Sequence, residues 1–245
     1  MKIDPRISLI EERLKGIRRV IAVSSGKGGV GKSLVSSALA LTLARRGLRT
    51  GLFDMDFTSP ASHIILGVGD AQPEEADGIV PPVVHGLKYM SIIHYVHDRA
   101  SPLRGVDLSN VVTELLAVTI WGKLDFLVID MPPGISDVVL DVLRLIRKAE
   151  FLVVTTPSRL AFETVRKLID LLLELGVPVL GVIENMKMGS SDRIRREVEG
   201  RGLNFWGEVP FDPRLEESIG DAGRLMRTEF GRAIERMAAE KLGIT

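Results

Sequence analysis

Residues 25–33 read Ser25-Gly26-Lys27-Gly28-Gly29-Val30-Gly31-Lys32-Ser33. From Gly26 to Ser33 this stretch fits G-x-x-x-x-G-K-[ST], the pattern of a loop that binds phosphate groups. The apolar residues 20–23 precede it and predict a buried strand, and apolar side chains at helical spacing in residues 34–43 follow it. Because strand, glycine loop and helix occur in the order that the pattern requires, the sequence predicts binding of a nucleoside triphosphate.

The residues of this loop have distinct predicted roles. Glycines let backbone N–H groups turn towards a phosphate without a clash at Cβ, and the N-terminus of the following helix adds a partial positive charge. We expect the Lys32 ammonium group to reach the β- and γ-phosphates and the Ser33 hydroxyl to ligate Mg²⁺. The predicted nucleotide-binding residues of the loop are Gly26, Lys27, Gly28, Gly29, Val30, Gly31, Lys32, Ser33 and Leu34.

The composition limits the kind of protein and its partners. Lys+Arg and Asp+Glu number 32 each, so no overall charge favours nucleic acid or an anionic membrane. The 245 residues include no cysteine, which excludes an iron–sulfur cluster held by thiolates of this chain alone. Residues 1–16 lack a signal-peptide core and no run of 18 apolar residues occurs, so we expect a cytoplasmic protein. A single glutamine and few asparagines favour a thermophilic source.

Strand and helix patterns alternate along the chain. The predicted strands are residues 20–23, 50–56, 87–93, 125–130, 151–155, 179–184 and 205–209. The predicted helices are residues 1–16, 34–43, 62–66, 110–121, 138–149, 158–175, 192–201, 214–219 and 229–242. Continuously apolar strands in this alternation predict an α/β fold of one domain over residues 1–245, with a mostly parallel sheet and helices on both faces.

Polar residues that could carry chemistry lie at the ends of the predicted strands. In a parallel sheet, ligands bind where loops leave the carboxyl ends of the strands. Lys27, Asp56, Asp130 and Asn185 all fall at or just after such an end, so we expect them to converge on one site. Asp130 also ends an apolar run, which is typical of the acid that holds Mg²⁺ opposite Ser33.

Two acids, Asp54 and Asp56, are candidates for orienting or deprotonating the water that attacks the γ-phosphate. They are two residues apart, so they point to the same side if the backbone is extended there. The sequence alone leaves the choice between them open, and capping of a loop is the other explanation for either.

Lys27 distinguishes this loop from an ordinary phosphate loop. A second lysine can stabilise charge on the phosphates, as an arginine finger does, and its position makes the phosphates of a partner subunit the easier target.

With this lysine, residues 27–33 resemble the deviant phosphate loop of the ParA/MinD class of dimerising ATPases. Within that class the chain is most similar to the Mrp (ApbC-like) ATPases over about residues 14–223. The stretches that carry this resemblance are IAVSSG (21–26), DMD (54–56), DMPPG (130–134), TTP (155–157), VRK (165–167), GVIENM (181–186) and VPFDP (209–213).

The resemblance implies a role for each matching position. It implies that Lys27 crosses a nucleotide-sandwich homodimer to the other subunit's phosphates, and that Asp56 rather than Asp54 positions the water. The expected catalytic residues are therefore Lys27, Lys32 and Asp56. The expected Mg²⁺ site comprises Ser33, Asp56 and Asp130, with Asp130 acting through water. The expected adenine site comprises Asn185, Pro210, Phe211 and Asp212.

The family carries or assembles iron–sulfur clusters, and this chain departs from the family pattern at three places. Residues 187–191 read KMGSS where the cluster-carrying members place a C-x-x-C pair. Leu34 stands where a hydroxyl residue usually contacts the α-phosphate, so only its backbone N–H can make that contact. Residues 135–137 read ISD where the loop usually continues Thr-Gly-Asp, which predicts altered switching.

The sequence therefore favours a Mg²⁺-dependent ATPase that turns over slowly and works as a dimeric switch, without cluster cysteines of its own. Factors of metalloprotein assembly are its expected clients. Two alternatives stay open. One is a MinD/ParA-like spatial organiser, for which residues 193–196 (RIRR) are the notable basic cluster. The other is a nucleotide-binding adaptor with little turnover.

Overall fold

A sheet of eight strands lies at the centre of the structure, a computed structural model that describes residues 4–96 and 106–244. The strands in these residues are β1 (Ile17–Ser25), β2 (Thr50–Asp54), β3 (Glu74–Ala76), β4 (Gly78–Val80), β5 (Val83–Val84), β6 (Leu87–Ser91), β7 (Leu124–Asp130), β8 (Ala149–Thr155), β9 (Val179–Lys187) and β10 (Phe205–Pro210). The large sheet has the order β10-β9-β8-β1-β7-β2-β6-β5, and β3 and β4 form a separate antiparallel pair.

Helices connect the strands of the large sheet. They are α1 (Pro5–Lys15), α2 (Lys32–Arg45), α3 (Ser62–Leu66), α4 (Ile93–Val96), α5 (Val106–Val118), α6 (Asp137–Leu145), α7 (Arg159–Glu174), α8 (Arg193–Glu199), α9 (Ala222–Arg227) and α10 (Glu229–Leu242), with a 3₁₀ turn at Leu215–Ser218. None of the helices in the described ranges is both long and apolar enough to cross a lipid bilayer.

Strand β1 lies inside the sheet, with parallel neighbours on both sides. Val23 of β1 is in register with Asp130 of β7, and Ser25 of β1 with Val154 of β8. The remaining neighbours are also parallel except β5 and β6, which pair antiparallel. The loops after β1, β2, β7, β8, β9 and β10 therefore leave the sheet at one edge, its carboxyl edge.

Helices cover both faces of the sheet, as the sequence predicts. Val20 and Ala22 of β1 pack into one core with α1, α5, α6, α7 and α8. Ile21 and Val23 point to the opposite face and pack with α2, α3, α9 and α10. This alternation explains why the central strands are apolar throughout, since both of their faces are buried.

Most predicted elements occur, with shifted boundaries. Helix α10 spans the predicted residues 229–242, whereas α1 begins at Pro5 after an Asp4 N-cap, and residues 1–3 of that prediction lie outside the described range. The helix predicted over residues 138–149 ends at Leu145, because Ala149 already begins β8. Residues 214–219 form only a short 3₁₀ turn, and α9, which the sequence analysis missed, follows it.

Candidate functional site

The phosphate loop joins β1 to α2 and requires glycine at both ends of its pattern. A Cβ atom at Gly26 would lie 2.4 Å from the backbone of Thr164 and Val165 in α7. Gly31 has φ of 81°, in the left-handed region that favours glycine, and a Cβ there would lie 2.3 Å from Nδ2 of Asn185. The first and last glycines of the loop are thus fixed by close contact with α7 and β9.

Lys32 is the centre of a group of buried polar side chains. Its Nζ atom lies 2.7 Å from Oδ1 of Asp130, 3.6 Å from Oδ2 of Asp56 and 3.3 Å from Oγ of Ser33. Lys32 and Asp56 are almost fully buried, and Asp130 has no exposed surface. The structure therefore brings together the residues that the sequence predicts to bind the terminal phosphates and Mg²⁺.

The oxygen atoms around Lys32 suit a small hard cation. Oδ2 of Asp130 is buried and has no hydrogen-bond partner among the described residues. In that part of the chain, no group of three or more His, Cys, Asp or Glu side chains could hold a metal on its own. Mg²⁺ commonly takes only one or two protein carboxylates and completes its octahedron with phosphate and water oxygens. Ser33, Asp56 and Asp130 fit this kind of site.

Asp54 and Asp56 have different surroundings. Strand β2 ends at Asp54, so the extended geometry that would point both acids to one side does not reach Asp56. Oδ1 of Asp54 accepts a hydrogen bond from the Asp56 N–H, and Oδ2 accepts from the Ser62 hydroxyl, which also contacts the Tyr89 hydroxyl. Burial, and next the charge of Asp130, raise the pKa of Asp54 to about 7. Asp54 thus supports the loop, while Asp56 faces Lys32.

A cavity of about 360 Å³ opens beside this group. Loop residues from Ser25 to Leu34 line one side of it. Pro133, from the DMPPG stretch singled out in the sequence, lies in another wall, and four further wall residues were not predicted, although their position after the end of β2 is a usable signal. These four residues are Thr58, Ser59, Ala61 and Ile65.

Lys27 lines the mouth of the cavity and is exposed. Its carbonyl accepts a hydrogen bond of 3.0 Å from the Ser25 hydroxyl, which fixes the backbone. Within the described ranges its ammonium group has no hydrogen bond or ion pair. The side chain is therefore available to a ligand or a second subunit.

The residues predicted to surround adenine lie at the ends of β9 and β10. Asn185 is 2% exposed, and its Nδ2 donates a hydrogen bond of 2.9 Å to the carbonyl of Val30. This support of the phosphate loop was not predicted from the sequence. Phe211 is half exposed and its N–H donates to the carbonyl of Lys187, two residues beyond Asn185, whereas Asp212 caps its own loop through the N–H of Arg214. The predicted adenine contacts of Asn185, Pro210, Phe211 and Asp212 stay predictions.

Comparisons with known proteins agree with this geometry. An iron-sulfur cluster carrier protein of Haemophilus influenzae is 44% identical over 245 aligned residues, which cover 92% of this chain and 66% of that protein. This chain thus spans just under two thirds of the length of that relative. Among solved structures, a nucleotide-binding protein of Archaeoglobus fulgidus in complex with ADP is 30% identical, with a TM-score of 0.76 over 89% of this chain and 92% of the other.

The cell division ATPase MinD of Pyrococcus furiosus has the same fold. It is 26% identical, with a TM-score of 0.68 over 92% of this chain and 98% of the other. The model of one family, described as the ParA, NUBPL iron-transfer P-loop NTPase, matches residues 16–241. The α/β fold and the family resemblance predicted from the sequence are therefore confirmed. The chain belongs to the ParA family of NUBPL iron-transfer P-loop NTPases.

Proposed function

We propose that this protein binds Mg²⁺ and ATP at the phosphate loop, hydrolyses ATP slowly and acts as a dimeric switch in iron–sulfur cluster assembly. The observation that carries the proposal is the group of buried Lys32, Asp56 and Asp130 with the half-buried Ser33 beside the cavity. The cluster task is taken from the name of the relatives, which are iron-sulfur cluster carrier proteins.

Hydrolysis in this site would depend on positioning more than on covalent chemistry. Lys32 and the loop N–H groups bind the β- and γ-phosphates, and Asp56 orients a water molecule towards the γ-phosphorus. The water oxygen forms a bond to phosphorus while the bond from phosphorus to the β–γ bridging oxygen breaks. One proton of the water passes to an oxygen of the transferred phosphoryl group, which yields ADP and phosphate. Ser33, Asp56 and Asp130 would hold Mg²⁺, which would neutralise part of the phosphate charge.

Exposed apolar side chains support a dimer that forms across the nucleotide. Four of them lie after the carboxyl ends of β7, β8, β9 and β10. They are, in that order, Ile135, Leu160, Met188 and Phe211, which are 49%, 76%, 81% and 52% exposed. They share this edge with the exposed Lys27. A second copy that covers the edge would bury them and bring its Lys27 to this subunit's phosphates.

A cluster, in this proposal, is cargo or a ligand shared with a client, because the 245 residues contain no cysteine. Residues 187–191, where relatives of the cluster-carrying type place the cysteine pair, are instead held by contacts of the Lys187 ammonium group. Nζ of Lys187 donates to Oε2 of Glu184 at 2.7 Å and to the carbonyl of Ser191. Thiolates for a cluster would therefore come from the client.

The spatial-organiser alternative receives less support from the basic cluster at residues 193–196. Arg193 donates to the carbonyl of Pro157, and Arg195 lies 3.5 Å from Glu208 and over the ring of Phe205. Two of its three arginines are thus engaged within the fold. This cluster therefore offers less free positive charge to DNA or anionic lipid than its sequence alone indicates.

ATP turnover of purified protein tests the proposal directly. We expect slow, Mg²⁺-dependent release of phosphate that Lys32→Ala abolishes, and that Asp56→Ala and Lys27→Ala reduce at least tenfold. Lys123→Ala, which removes an exposed lysine next to the amino end of β7, is the matched control and should retain full turnover. Light scattering should show dimers with ATP and a loss of ATP-dependent dimers in Lys27→Ala. If the turnover of wild type equals that of Lys32→Ala, the ATPase proposal is contradicted and the adaptor with little turnover is favoured.

The client class is tested with Asp56→Ala, which we expect to hold the ATP-bound state, as bait in native lysate with ATP. Enrichment of iron–sulfur or other metalloprotein factors, identified by mass spectrometry, supports the proposed task. Enrichment of division, chromosome or membrane proteins would support the organiser instead. Lys32→Ala provides the background of proteins that bind without nucleotide.

A further inference from the structure

The two carboxylate oxygens of Asp56 have different partners. Oδ1 accepts a hydrogen bond of 2.9 Å from the Thr58 hydroxyl and one of 3.2 Å from the Ser59 N–H. Oδ2 points the other way and lies 3.6 Å from Nζ of Lys32. The orientation of the carboxylate is therefore determined from the side of Oδ1.

Thr58 supplies the side-chain donor among the two groups that bind Oδ1 of Asp56. The Ser59 N–H belongs to the main chain and is present whatever the side chain. The Thr58 hydroxyl belongs to a side chain, so a substitution can remove it. Thr58 follows the end of β2 in an exposed loop and lines the cavity. Without its hydroxyl, Oδ1 would keep only the longer bond to Ser59, and the carboxylate could turn about its Cβ–Cγ bond.

We propose that Thr58 is a positioning residue that fixes the direction of Asp56 for hydrolysis of ATP. This proposal rests on the proposed function, because it assigns to Asp56 the orientation of the attacking water. Phosphoryl transfer depends on the geometry of the attacking oxygen, and a freely turning carboxylate holds water in line for only part of the time. Thr58 thus acts on the reaction through Asp56, without a contact to phosphate of its own.

The test compares steady-state hydrolysis by wild type, Thr58→Val and Thr58→Ser. We expect kcat of Thr58→Val to fall roughly threefold to tenfold, because Oδ1 keeps its bond from the Ser59 N–H and is only partly released, while KM for ATP stays within about twofold. Thr58→Ser keeps the hydroxyl and should restore most of kcat. The matched control is Thr113→Val on α5, which removes a buried hydroxyl remote from the cavity and should leave kcat unchanged.

A second comparison separates positioning from a direct contact with ATP. In an Asp56→Ala background, Thr58→Val should cause no further fall in the residual rate, since the group that Thr58 orients is absent. A further fall of the same size as in wild type, or a rise in KM with unchanged kcat, overturns the proposal in favour of direct binding.

The outcomes also distinguish this proposal from the proposed function. If wild type exceeds Lys32→Ala in turnover but Thr58→Val equals wild type, only the role of Thr58 is overturned. If wild type does not exceed Lys32→Ala, the ATPase function itself is overturned and the role of Thr58 with it. Three results together establish the role of Thr58. Thr58→Val lowers kcat with a normal KM, Thr58→Ser restores kcat, and Thr58→Val has no further effect in the Asp56→Ala background.

Discussion

Nζ of Lys32 lies 2.7 Å from Oδ1 of Asp130, and neither side chain has more than 6% of its surface exposed. Each charge is therefore compensated inside the protein mainly by the other. The ion pair joins the start of α2 to the end of β7, so the phosphate loop and the loop after β7 share one electrostatic contact. Loss of either partner should cost more than loss of both.

Lys32→Met should lower the free energy of unfolding by about 3 kcal/mol, because it leaves Asp130 buried and uncompensated. The double variant Lys32→Met/Asp130→Asn should recover most of this loss, since it removes both charges without changing the size of the acid. Urea unfolding without nucleotide measures both effects. A double variant that is no more stable than Lys32→Met would show that the pair is not what stabilises Asp130.

Gly26→Ala should destabilise the fold by roughly 2 kcal/mol or more, because its Cβ would lie 2.4 Å from the backbone of α7. Gly28→Ala is a control in the same loop, since nothing lies within 4 Å of a Cβ there. Its melting temperature should stay close to that of wild type. Equal melting temperatures of the two variants would mean that α7 can move away from the loop.

His94 should make stability depend on pH. Its ring packs edge-on against Tyr89, and burial, together with nearby His63, lowers the pKa of His94 to about 4. The unfolded chain takes up this proton below about pH 6.5 and the folded chain only near pH 4, so the free energy of unfolding falls as the pH falls through this window. The expected slope is about 1 kcal/mol per pH unit.

Asp54 has the opposite dependence, so His94 must be measured by difference. The raised pKa of Asp54 means that the folded chain binds a proton where the unfolded chain does not, and stability falls as the pH rises from about 4 to about 7. His94→Leu keeps Asp54 and removes only the imidazole. Because Asp54 is common to both proteins, the change in the free energy of unfolding from pH 7.5 to pH 5, measured with urea, should be more favourable for His94→Leu than for wild type. Parallel behaviour of the two proteins would contradict the prediction.

Asn185→Asp should be more damaging than Asn185→Ala. The alanine variant removes the donor to the Val30 carbonyl, which should cost about 1 kcal/mol of stability. The aspartate variant places a carboxylate oxygen against that carbonyl and should also weaken binding of phosphates at the neighbouring loop. Unfolding and binding of a fluorescent ATP analogue measure the two effects. If Asn185 also contacts adenine, as the sequence predicts, Asn185→Ala will reduce the preference for ATP over GTP.

The fold was predictable because its signals are local and repeated. The phosphate-loop pattern, the apolar strands and the helix predicted over residues 158–175 all occur where the sequence places them, the last as α7. The shared carboxyl edge followed from the alternation of strands and helices, and it places Asp56 and Asp130, two of the residues expected to converge there, beside Lys32. The predicted cytoplasmic location, thermophilic source and roles of the site residues stay predictions.

The parts that could not be predicted depend on contacts between distant segments. Nothing local to Gly26 shows that α7 packs against it, and nothing local to Asn185 shows that its amide supports Val30. The different roles of Asp54 and Asp56 depend on β2 ending at Asp54 and on Ser62 from α3. The sequence pattern, two acids at alternate positions, shows neither where β2 ends nor that Ser62 contacts Asp54.

The position of β1 in the sheet also has a consequence for synthesis on the ribosome. Both neighbours of β1 come long after it in the chain: β1 ends at Ser25, whereas β7 begins at Leu124 and β8 at Ala149. At about 5–20 residues per second, roughly 5–20 s pass between the appearance of β1 and that of its first partner. During this interval the phosphate loop is attached to an unpaired apolar strand. A nascent chain that stops before β7 should therefore be unable to retain nucleotide, and its apolar segments would need protection from aggregation until the centre of the sheet can form.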